Sequence, residues 1–543
     1  MSVVLACDLG GTNFRAALID ASGQTLAEAR VPSPAGTEGA GWAEIDPDHW
    51  WAALVAAVAQ LASSDRALLA QTQGIAICGV TRTQVLLDAQ GRSLRPAMTW
   101  RDARAAALLP DLLTTLPAGH PESVQVNAFH PVARLAWLRR HEPQHYAQLC
   151  TVLEPKDYLN FRLTGVRATD AISSARLLAA ASNHVTSIHL DTPANTSGHH
   201  VGITLLEAVG LEASLVPQAV SPTDCVGRVV AGLPDVLAML AGVPVYACSN
   251  DTWAAVAGLG ALRPGYAYNI SGTTEVFGVM GSESVQAPGL MTVQWGDGLY
   301  QVGGPGQNGA DTLAWLLSLL RDAATGGSSG DGGHSSSGCV GNSDDDDSAP
   351  AGHRTHEPLT FETLLAGKRD TQPVLFLPYL QGERVPHWDA NLRGAFVGLN
   401  RRHRAIDLAW AVMEGVAFLN RIVLERGEQA IGSAVNEIRY GGGAAANPLW
   451  CQIKADICER PVVIGRSAQP GLLGAAMVAW AGLGRFISLS AAQAQMAQPG
   501  YRYEPRVSHR EAYRQLAAWY AQASDALTPV SHGLAAMDGG IAR

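Results

Sequence analysis

Two apolar runs separated by a short polar turn occur twice in the chain and predict two β-hairpins. The runs "VVLAC" and "FRAALID" flank "DLGGT" within residues 3–20, and "SGTT" is placed in the same way inside "YAYNISGTTEVFGVM" at residues 266–280. Short apolar runs bounded by glycine are typical of strands joined by a tight turn. Glycine also lets backbone N–H groups approach a phosphate closely. One such turn is as often only a turn, but two copies favour a duplicated domain that faces itself across a cleft.

The rest of the pattern alternates predicted strands with predicted helices. Strands are expected at residues 74–80, 83–94, 243–251 and 437–440. Helices are expected from Asp46, between Asp102 and about Leu163, from about Asp251, at residues 405–427 and from Pro448. This alternation is typical of an α/β fold.

Composition and charge narrow the class of protein. A chain of 543 residues predicts two to four domains, and 47% hydrophobic residues supply large cores. The net charge of −10 argues against a nucleic-acid partner.

No apolar run reaches the roughly 18 to 20 residues of a spanning helix, and Asp8 comes too early for a signal peptide. Eight cysteines without a C-x-x-C pair suggest reduced thiols. We therefore expect a cytoplasmic protein with no membrane partner.

The segment at residues 325–354 differs in composition from everything around it. It is built of Gly, Ser and Asp, with almost nothing to bury, and predicts a disordered surface insertion. The four acids at 344–347 favour a solvated run over a metal site, because a metal cage needs ligands in fixed positions.

Three features carry candidate chemistry. Asp8, at the end of the first predicted strand, suits a hydrated Mg²⁺. The glycines at 441–443 precede a helix and suit a phosphorylated or flat ligand, although a plain connector is the alternative. Asp251 stands where a helix begins, so it is either a general base or an N-cap that satisfies free backbone amides. The sequence leaves both roles open.

Together these motifs resemble the FGGY family of carbohydrate kinases, and among its members the xylulokinases. The resemblance runs from about residue 3 to 490 and is carried by "DLGGT", "PKDYLNFRLTG", "ATDAISSA", "NDTWAAVAGLGALRPG", "SGTT", "FLPYLQGERVPHWDANLRGAFVGL" and "GGGAAANPLWCQIKAD". It implies an α/β fold of two ribonuclease-H-like domains, as in the actin, Hsp70 and sugar kinase superfold, around a deep cleft. The implied domains are a sugar-binding domain at 1–243, an ATP-binding domain at 244–490 and a C-terminal helical tail at 491–543.

The resemblance implies ATP-dependent phosphorylation of a sugar hydroxyl, with D-xylulose to xylulose 5-phosphate expected first and another ketose, a polyol or a sugar acid as the alternative. Asp251 would accept the hydroxyl proton, and Asp8 would hold Mg²⁺ through water. The implied sugar-binding residues are Thr81, Arg82, Trp100, Asp102, Asn250 and Asp251. The implied ATP-binding residues are Gly10, Gly11, Thr12, Asn13, Arg15, Gly272, Thr273, Thr274, Gly442, Gly443, Ala444 and Asn447.

One departure from the family pattern concerns the substrate. Thr81 and Arg82 stand where xylulokinases have Met-His, and a guanidinium can pair with a hydroxyl or a carboxylate. An arginine on a strand is as often only a surface charge. Two functions of other classes stay open: a nucleotide-hydrolysing chaperone or filament protein, and a sugar-binding protein without catalysis. A homodimer also stays open.

Overall fold

The computed structural model describes residues 2–33, 36–39, 41–116, 126–178, 203–296, 298–324 and 360–537. The predicted insertion at 325–354 lies outside these residues, as does Cys339. The seven cysteines within them are unpaired.

The strands in chain order are β1 Val3–Leu9, β2 Asn13–Ile19, β3 Thr25–Pro32, β4 Thr37–Gly39, β5 Trp42–Ile45, β6 Thr72–Gly79, β7 Val85–Leu87, β8 Ala97–Met98, β9 Thr151–Leu153, β10 Thr169–Asp170, β11 Ala219–Val220, β12 Cys225–Arg228, β13 Pro244–Tyr246, β14 Tyr266–Ser271, β15 Glu275–Gly281, β16 Met291–Gln294, β17 Tyr300–Pro305, β18 Leu375–Leu377, β19 Ala395–Val397, β20 Glu437–Gly441, β21 Val462–Gly465 and β22 Pro499–Tyr503.

The α-helices are α1 Pro47–Leu69, α2 Leu109–Thr115, α3 Pro131–His141, α4 Pro143–Gln148, α5 Pro155–Thr164, α6 Ala171–Leu178, α7 Leu205–Ala208, α8 Asp235–Ala238, α9 Asp251–Leu259, α10 Asp311–Ala324, α11 Phe361–Leu365, α12 Ala405–Ile431, α13 Pro448–Cys458, α14 Pro470–Gly482, α15 Leu489–Met496 and α16 Arg510–Ala536.

Two large sheets have the same internal topology. The strand order is β12-β13-β6-β1-β2-β3 in the first and β16-β17-β15-β14-β20-β21-β22 in the second. In each, the hairpin strands are antiparallel (β1 with β2, β14 with β15), and the first hairpin strand runs parallel to the next strand inward (β6 or β20). The predicted duplication and the ribonuclease-H-like fold of each half are therefore confirmed.

Helices α9 and α14 connect the two sheets through a shared core. That core contains buried side chains of β1 and β6 from the first sheet, of β14 and β15 from the second, and of both helices. The helices touch at their backbones: a Cβ at Gly258 would lie 1.9 Å from the Pro470 carbonyl oxygen, and one at Gly474 would lie 1.9 Å from that of Ala254. No side chain larger than hydrogen fits at either glycine, so the backbone of α9 lies directly against the first turns of α14.

Three predicted boundaries differ from the structure. The strand expected at 83–94 is only Val85–Leu87, because the Asp88 carboxylate then accepts the backbone N–H groups of Gln90 and Arg92 and turns the chain. The first sheet continues through β13, past the boundary predicted after residue 243. The tail is not purely helical, since β22 extends the second sheet by pairing with β21. β22 is mostly exposed and gives no alternating pattern to recognise.

Helix α1 is the one helix among the described residues that is long and apolar enough to cross a membrane by length and composition. It begins as predicted, with the Asp46 carboxylate capping the Asp48 N–H. Its buried residues, among them Trp50, Leu54 and Val58, pack into the core beneath the first sheet, as in a core helix.

Candidate active site

The carboxyl ends of three parallel strands bring the predicted sugar-side residues to one edge of the first sheet. In the register of β1 and β6, Asp8 lies beside Cys78. β13 pairs with β6 on its other side, and Gly79 forms a bridge with Asn250 just beyond the strand ends. Ligands of open α/β sheets bind at this edge. Asp8, the Thr81 loop and Asp251 therefore converge, although they are far apart in sequence.

Asp251 is not the N-cap of α9. The cap is Asn250, whose side-chain oxygen accepts the Trp253 N–H at 2.9 Å, and Asp251 is the first helical residue. Burial raises the pKa of Asp251 to about 6, although hydrogen bonds from the Thr252 backbone and hydroxyl oppose the shift. Of the two roles left open, capping belongs to Asn250, and the Asp251 carboxylate is left at the site with a pKa suited to accepting a proton.

Asp8 is held in an unusual electrostatic position. Burial and the nearby Asp251 carboxylate raise its pKa to about 7, against the opposing effects of Arg15 and the Cys78 thiol. Its Oδ1 is buried and has no hydrogen-bond partner among the described residues. Helix α14 starts against the same side chain, since a Cβ at Gly471 would lie 2.7 Å from Asp8 Oδ2.

A divalent cation fits this donor set. It would satisfy the orphaned Asp8 oxygen and relieve the repulsion between the two carboxylates. No group of three or more His, Cys, Asp or Glu residues is placed to hold a metal within the described ranges. A Mg²⁺ here would keep most of its water and rely on substrate phosphates, as Mg²⁺ commonly does.

Two strained residues flank the site. Arg82, three residues beyond β6, has φ of 56°, and Cys248, two residues beyond β13, has φ of 53°. Non-glycine residues in this left-handed region are uncommon and cluster at functional sites. Both loops are therefore fixed in conformations that local preference alone would not select.

Glu154 fixes the loop that carries Thr81 and Arg82. Its carboxylate accepts the Thr81 hydroxyl at 3.3 Å and the backbone N–H groups of Arg82 and Thr83 at 3.2 and 3.3 Å. Burial first, then the Asp157 charge, raise the pKa of Glu154 to about 8. The buried Arg134 guanidinium reaches the same loop by donating to the Arg82 carbonyl oxygen.

The two remaining residues predicted to bind the sugar, Trp100 and Asp102, lie in different environments. The Trp100 side chain is 43% exposed, and its backbone N–H donates to the Thr83 hydroxyl at 3.2 Å. Asp102 is fully buried, and its carboxylate accepts the Ala43 N–H and pairs with Arg104. The structure thus places the Trp100 backbone beside the loop that carries Thr81 and Arg82, and it places the Asp102 carboxylate in a buried ion pair with Arg104.

The two glycine hairpins leave open space where phosphate was predicted. A Cβ at Gly11 or at Gly272 would meet nothing within 4 Å, and the adjacent Thr12 and Thr273 are exposed. Neither glycine has a positive φ, so the absence of a side chain serves here to leave room.

Hydrogen bonds close both glycine turns. The first hairpin is closed by the Gly10 N–H and the Asn13 carbonyl oxygen, and the second by the Gly272 N–H and the Thr274 carbonyl oxygen. Arg15 faces Asp8 across the first hairpin.

The third glycine segment lies against the second hairpin. Gly442 has φ of 93°, and a Cβ there would lie 2.3 Å from the Ser271 carbonyl oxygen, so only glycine fits. Gly443 is open to approach, whereas Ala444 is buried. The Asn447 side chain caps α13 by accepting the N–H groups of Leu449 and Trp450. The segment is a tight join between β20 and α13, with one open position.

Sequence reasoning missed several residues at this site. Glu154 directly precedes the "PKDYLNFRLTG" segment, and Gly471 follows a proline at a helix start, but neither pattern indicates a contact with Thr81 or Asp8. Those contacts depend on which strand lies beside which.

Comparisons with known proteins identify the family and the fold. The sequence models of the FGGY carbohydrate kinase N-terminal and C-terminal domains match residues 3–258 and 267–483. The chain is 26% identical to a xylulose kinase of Bacillus subtilis (95% of each chain) and 27% identical to a glycerol kinase of Alkalilimnicola ehrlichii (96% and 97%). The solved xylulose kinase of Rhodospirillum rubrum shares the fold, with a TM-score of 0.76 at 24% identity over 98% of this chain and all of that one. The chain belongs to the FGGY family of carbohydrate kinases.

Proposed function

We propose that this carbohydrate kinase transfers the γ-phosphoryl group of ATP to a hydroxyl group of D-xylulose, forming xylulose 5-phosphate. The observation that supports the catalytic assignment is that two adjacent residues at the start of α9 have different roles. Asn250 caps the helix, and the Asp251 carboxylate, with a pKa of about 6, is left beside Asp8.

In the proposed reaction a sugar hydroxyl oxygen attacks the γ-phosphorus, and the bond from that phosphorus to the leaving oxygen of ADP breaks. Asp251 takes the hydroxyl proton onto a carboxylate oxygen. A pKa of about 6 leaves this carboxylate mostly ionised at neutral pH and still basic enough to accept the proton. Positioning and charge neutralisation supply most of the acceleration in reactions of this class.

Asp8 would hold Mg²⁺ at the ends of β1 and β6. The bound ion would neutralise charge on the transferring phosphoryl group. The open positions at Gly11 and Gly272 would let backbone N–H groups approach the phosphates, with Thr12 and Thr273 hydroxyls beside them.

The choice of D-xylulose rests on the names of relatives and on the resemblance to xylulokinases, whereas the Thr81 loop favours an alternative sugar. Both xylulose kinases and glycerol kinases match at similar identity. Thr81 and Arg82 present donors in place of the Met-His of the xylulokinase pattern, so another ketose, a polyol or a sugar acid is the alternative substrate. We also propose a cytoplasmic location, where ATP is abundant and the unpaired thiols stay reduced.

The test is a coupled ADP-release assay over D-xylulose, other ketoses, glycerol and sugar acids, with Asp251→Asn beside the parent. We expect D-xylulose to give the highest kcat/KM and Asp251→Asn to lose about 10² to 10⁴-fold while still binding ATP. Asp111→Asn, an exposed first-turn aspartate of α2, is the matched control and should keep parental kinetics. Activity of Asp251→Asn within about threefold of the parent would show that Asp251 does not act as a general base.

A further inference from the structure

The chain has three lysines against 35 arginines, and two of the three are fully buried. Lys156 lies on α5 in the first half of the molecule, and Lys454 lies on α13 in the second. Lys368 is exposed. Buried lysines are rare unless they are paired, and an ammonium group differs from a guanidinium in being a compact point charge with three rotatable donors.

Lys156 is bonded to the segment that leads into Asp251. Its ammonium group pairs with Asp157 and, at 2.9 Å, with Asp170, and it donates to the Ala247 carbonyl oxygen at 3.4 Å. Asp170 in turn accepts the Ser249 hydroxyl at 2.8 Å. Residues 247–249 are therefore tied to α5 immediately before Asn250 and Asp251.

The same helix holds the other sugar-side loop. Glu154, at the N-cap of α5, accepts hydrogen bonds from Thr81, Arg82 and Thr83. Helix α5 and its N-cap residue therefore form hydrogen bonds with both loops that contain strained residues, and Lys156 makes the contact with the loop before Asp251.

Lys454 occupies the corresponding place on the nucleotide side. Its ammonium group donates to Asn269 Oδ1 at 2.7 Å, to Glu275 Oε1 and to Asn420 Oδ1. Asn269 and Glu275 lie on the two strands of the second hairpin, on either side of "SGTT", and are themselves bonded at 2.8 Å. The Tyr440 ring, at the end of β20, lies 4.9 Å from the ammonium nitrogen.

These contacts join three segments at the Lys454 ammonium group: the second hairpin, α13 and α12. Helix α13 begins directly after the glycine segment, and Lys454 joins it to both strands of the hairpin and to α12. Glu275 Oε1 accepts both the ammonium group and the Asn269 amide, so the carboxylate depends on the lysine for its charge partner.

We propose that the two buried lysines are positioning residues for the two half-sites: Lys156 orients the sugar and the catalytic base, and Lys454 orients the nucleotide phosphates. The proposal rests on the kinase function proposed above. It predicts that the two lysines act on different kinetic constants, which a general loss of folded protein would not produce.

The experiment compares Lys156→Met, Lys454→Met and the exposed Lys368→Met, in the full chain, by steady-state kinetics with ATP and D-xylulose. We expect Lys454→Met to raise the KM for ATP at least tenfold and leave the sugar KM within twofold. Lys156→Met should lower kcat and raise the sugar KM at least tenfold, with the KM for ATP within twofold. Lys368→Met should leave all constants within twofold.

Two further measurements keep the outcome decisive. Calorimetric titration with Mg·ADP reads the nucleotide half-site without any sugar, so weakened binding by Lys454→Met is interpretable even where no sugar is phosphorylated and the proposed function fails. If a single variant does not fold, the charge-matched doubles Lys454→Met with Glu275→Gln and Lys156→Met with Asp157→Asn are measured in the same way.

Three results would overturn the proposal. Equal loss of kcat with both KM values unchanged would show a purely structural role. A higher KM for ATP in Lys156→Met together with a higher sugar KM in Lys454→Met would show that the half-sites are wrongly assigned. Failure of the charge-matched doubles to fold would show that the lysines serve the fold itself. We also expect Lys→Arg at either position not to restore the parental constants, because the planar guanidinium does not match an acceptor set built around a single nitrogen.

Discussion

Replacing Gly471 by alanine should disable the Asp8 carboxylate without removing it. The new Cβ would lie 2.7 Å from Asp8 Oδ2 and 3.2 Å from Cγ, whereas ordinary contact begins at 3.4 Å. Asp8 or the start of α14 must therefore move by about 0.7 Å, the difference between 3.4 and 2.7 Å. The Asp8 backbone has little freedom to retreat, because β1 is held between β2 and β6.

The expected effect is larger on catalysis than on folding. Overpacking of this kind destabilises by about 1 to 3 kcal/mol. A displacement approaching 1 Å at a reacting centre can lower the rate by about 10²-fold, so we expect kcat/KM to fall by roughly 10 to 100-fold. If Asp8 holds Mg²⁺, the concentration of Mg²⁺ that gives half-maximal activity should rise as well.

The assay is ADP release as a function of Mg²⁺ concentration, together with thermal unfolding. Gly533→Ala is the matched control, since this glycine also lies in a helix and a Cβ there would meet nothing within 4 Å. Parental kinetics and an unchanged Tm for Gly471→Ala would refute the close approach of α14 to Asp8. A fall in Tm with unchanged Mg²⁺ dependence would refute the role of Asp8 in holding the ion.

Three further outcomes follow from the same geometry. Because Asp251 must be ionised to accept a proton, kcat/KM measured at saturating Mg²⁺, which keeps Asp8 ionised, should fall as the pH drops through about 6, and Asp251→Asn should lack this acid limb in a pH profile. Arg82→Ala should weaken kcat/KM for the sugar by about 1 to 3 kcal/mol and leave the KM for ATP unchanged, and an unaltered sugar profile would show that Arg82 does not face the substrate. Gly533→Ala should raise the free energy of unfolding by about 0.5 to 1 kcal/mol in a denaturant titration, because alanine loses less backbone entropy in a helix.

Local sequence patterns predicted the elements that local physics controls. The hairpin strands are mostly buried runs of seven residues at β1 and six at β14, and each pair is joined by the predicted glycine turn. Helix α1 begins at the predicted aspartate cap, and α12 covers the predicted amphipathic segment. These predictions succeeded because capping and periodicity depend on residues only a few positions apart.

Predictions that required knowledge of distant partners were less complete. The strand expected at 83–94 is cut short by a turn that the Asp88 side chain closes, and Asp102 is buried in an ion pair with Arg104. The capping of α9 by Asn250 rather than Asp251 is a local choice of one residue, but it decides which side chain is left for chemistry.

The sequence by itself determined the family, the duplicated strand-turn-strand units and the residue types of an ATP-dependent kinase. The tertiary structure decided which of those residues meet. Asp8 and Asp251 become neighbours only because β1, β6 and β13 lie side by side in parallel, and α14 reaches Asp8 only because Gly258 and Gly474 let two helices touch at their backbones. The pKa values of the two carboxylates, about 7 and about 6, arise from burial and, for Asp8, from the charge of Asp251, which no stretch of sequence contains on its own.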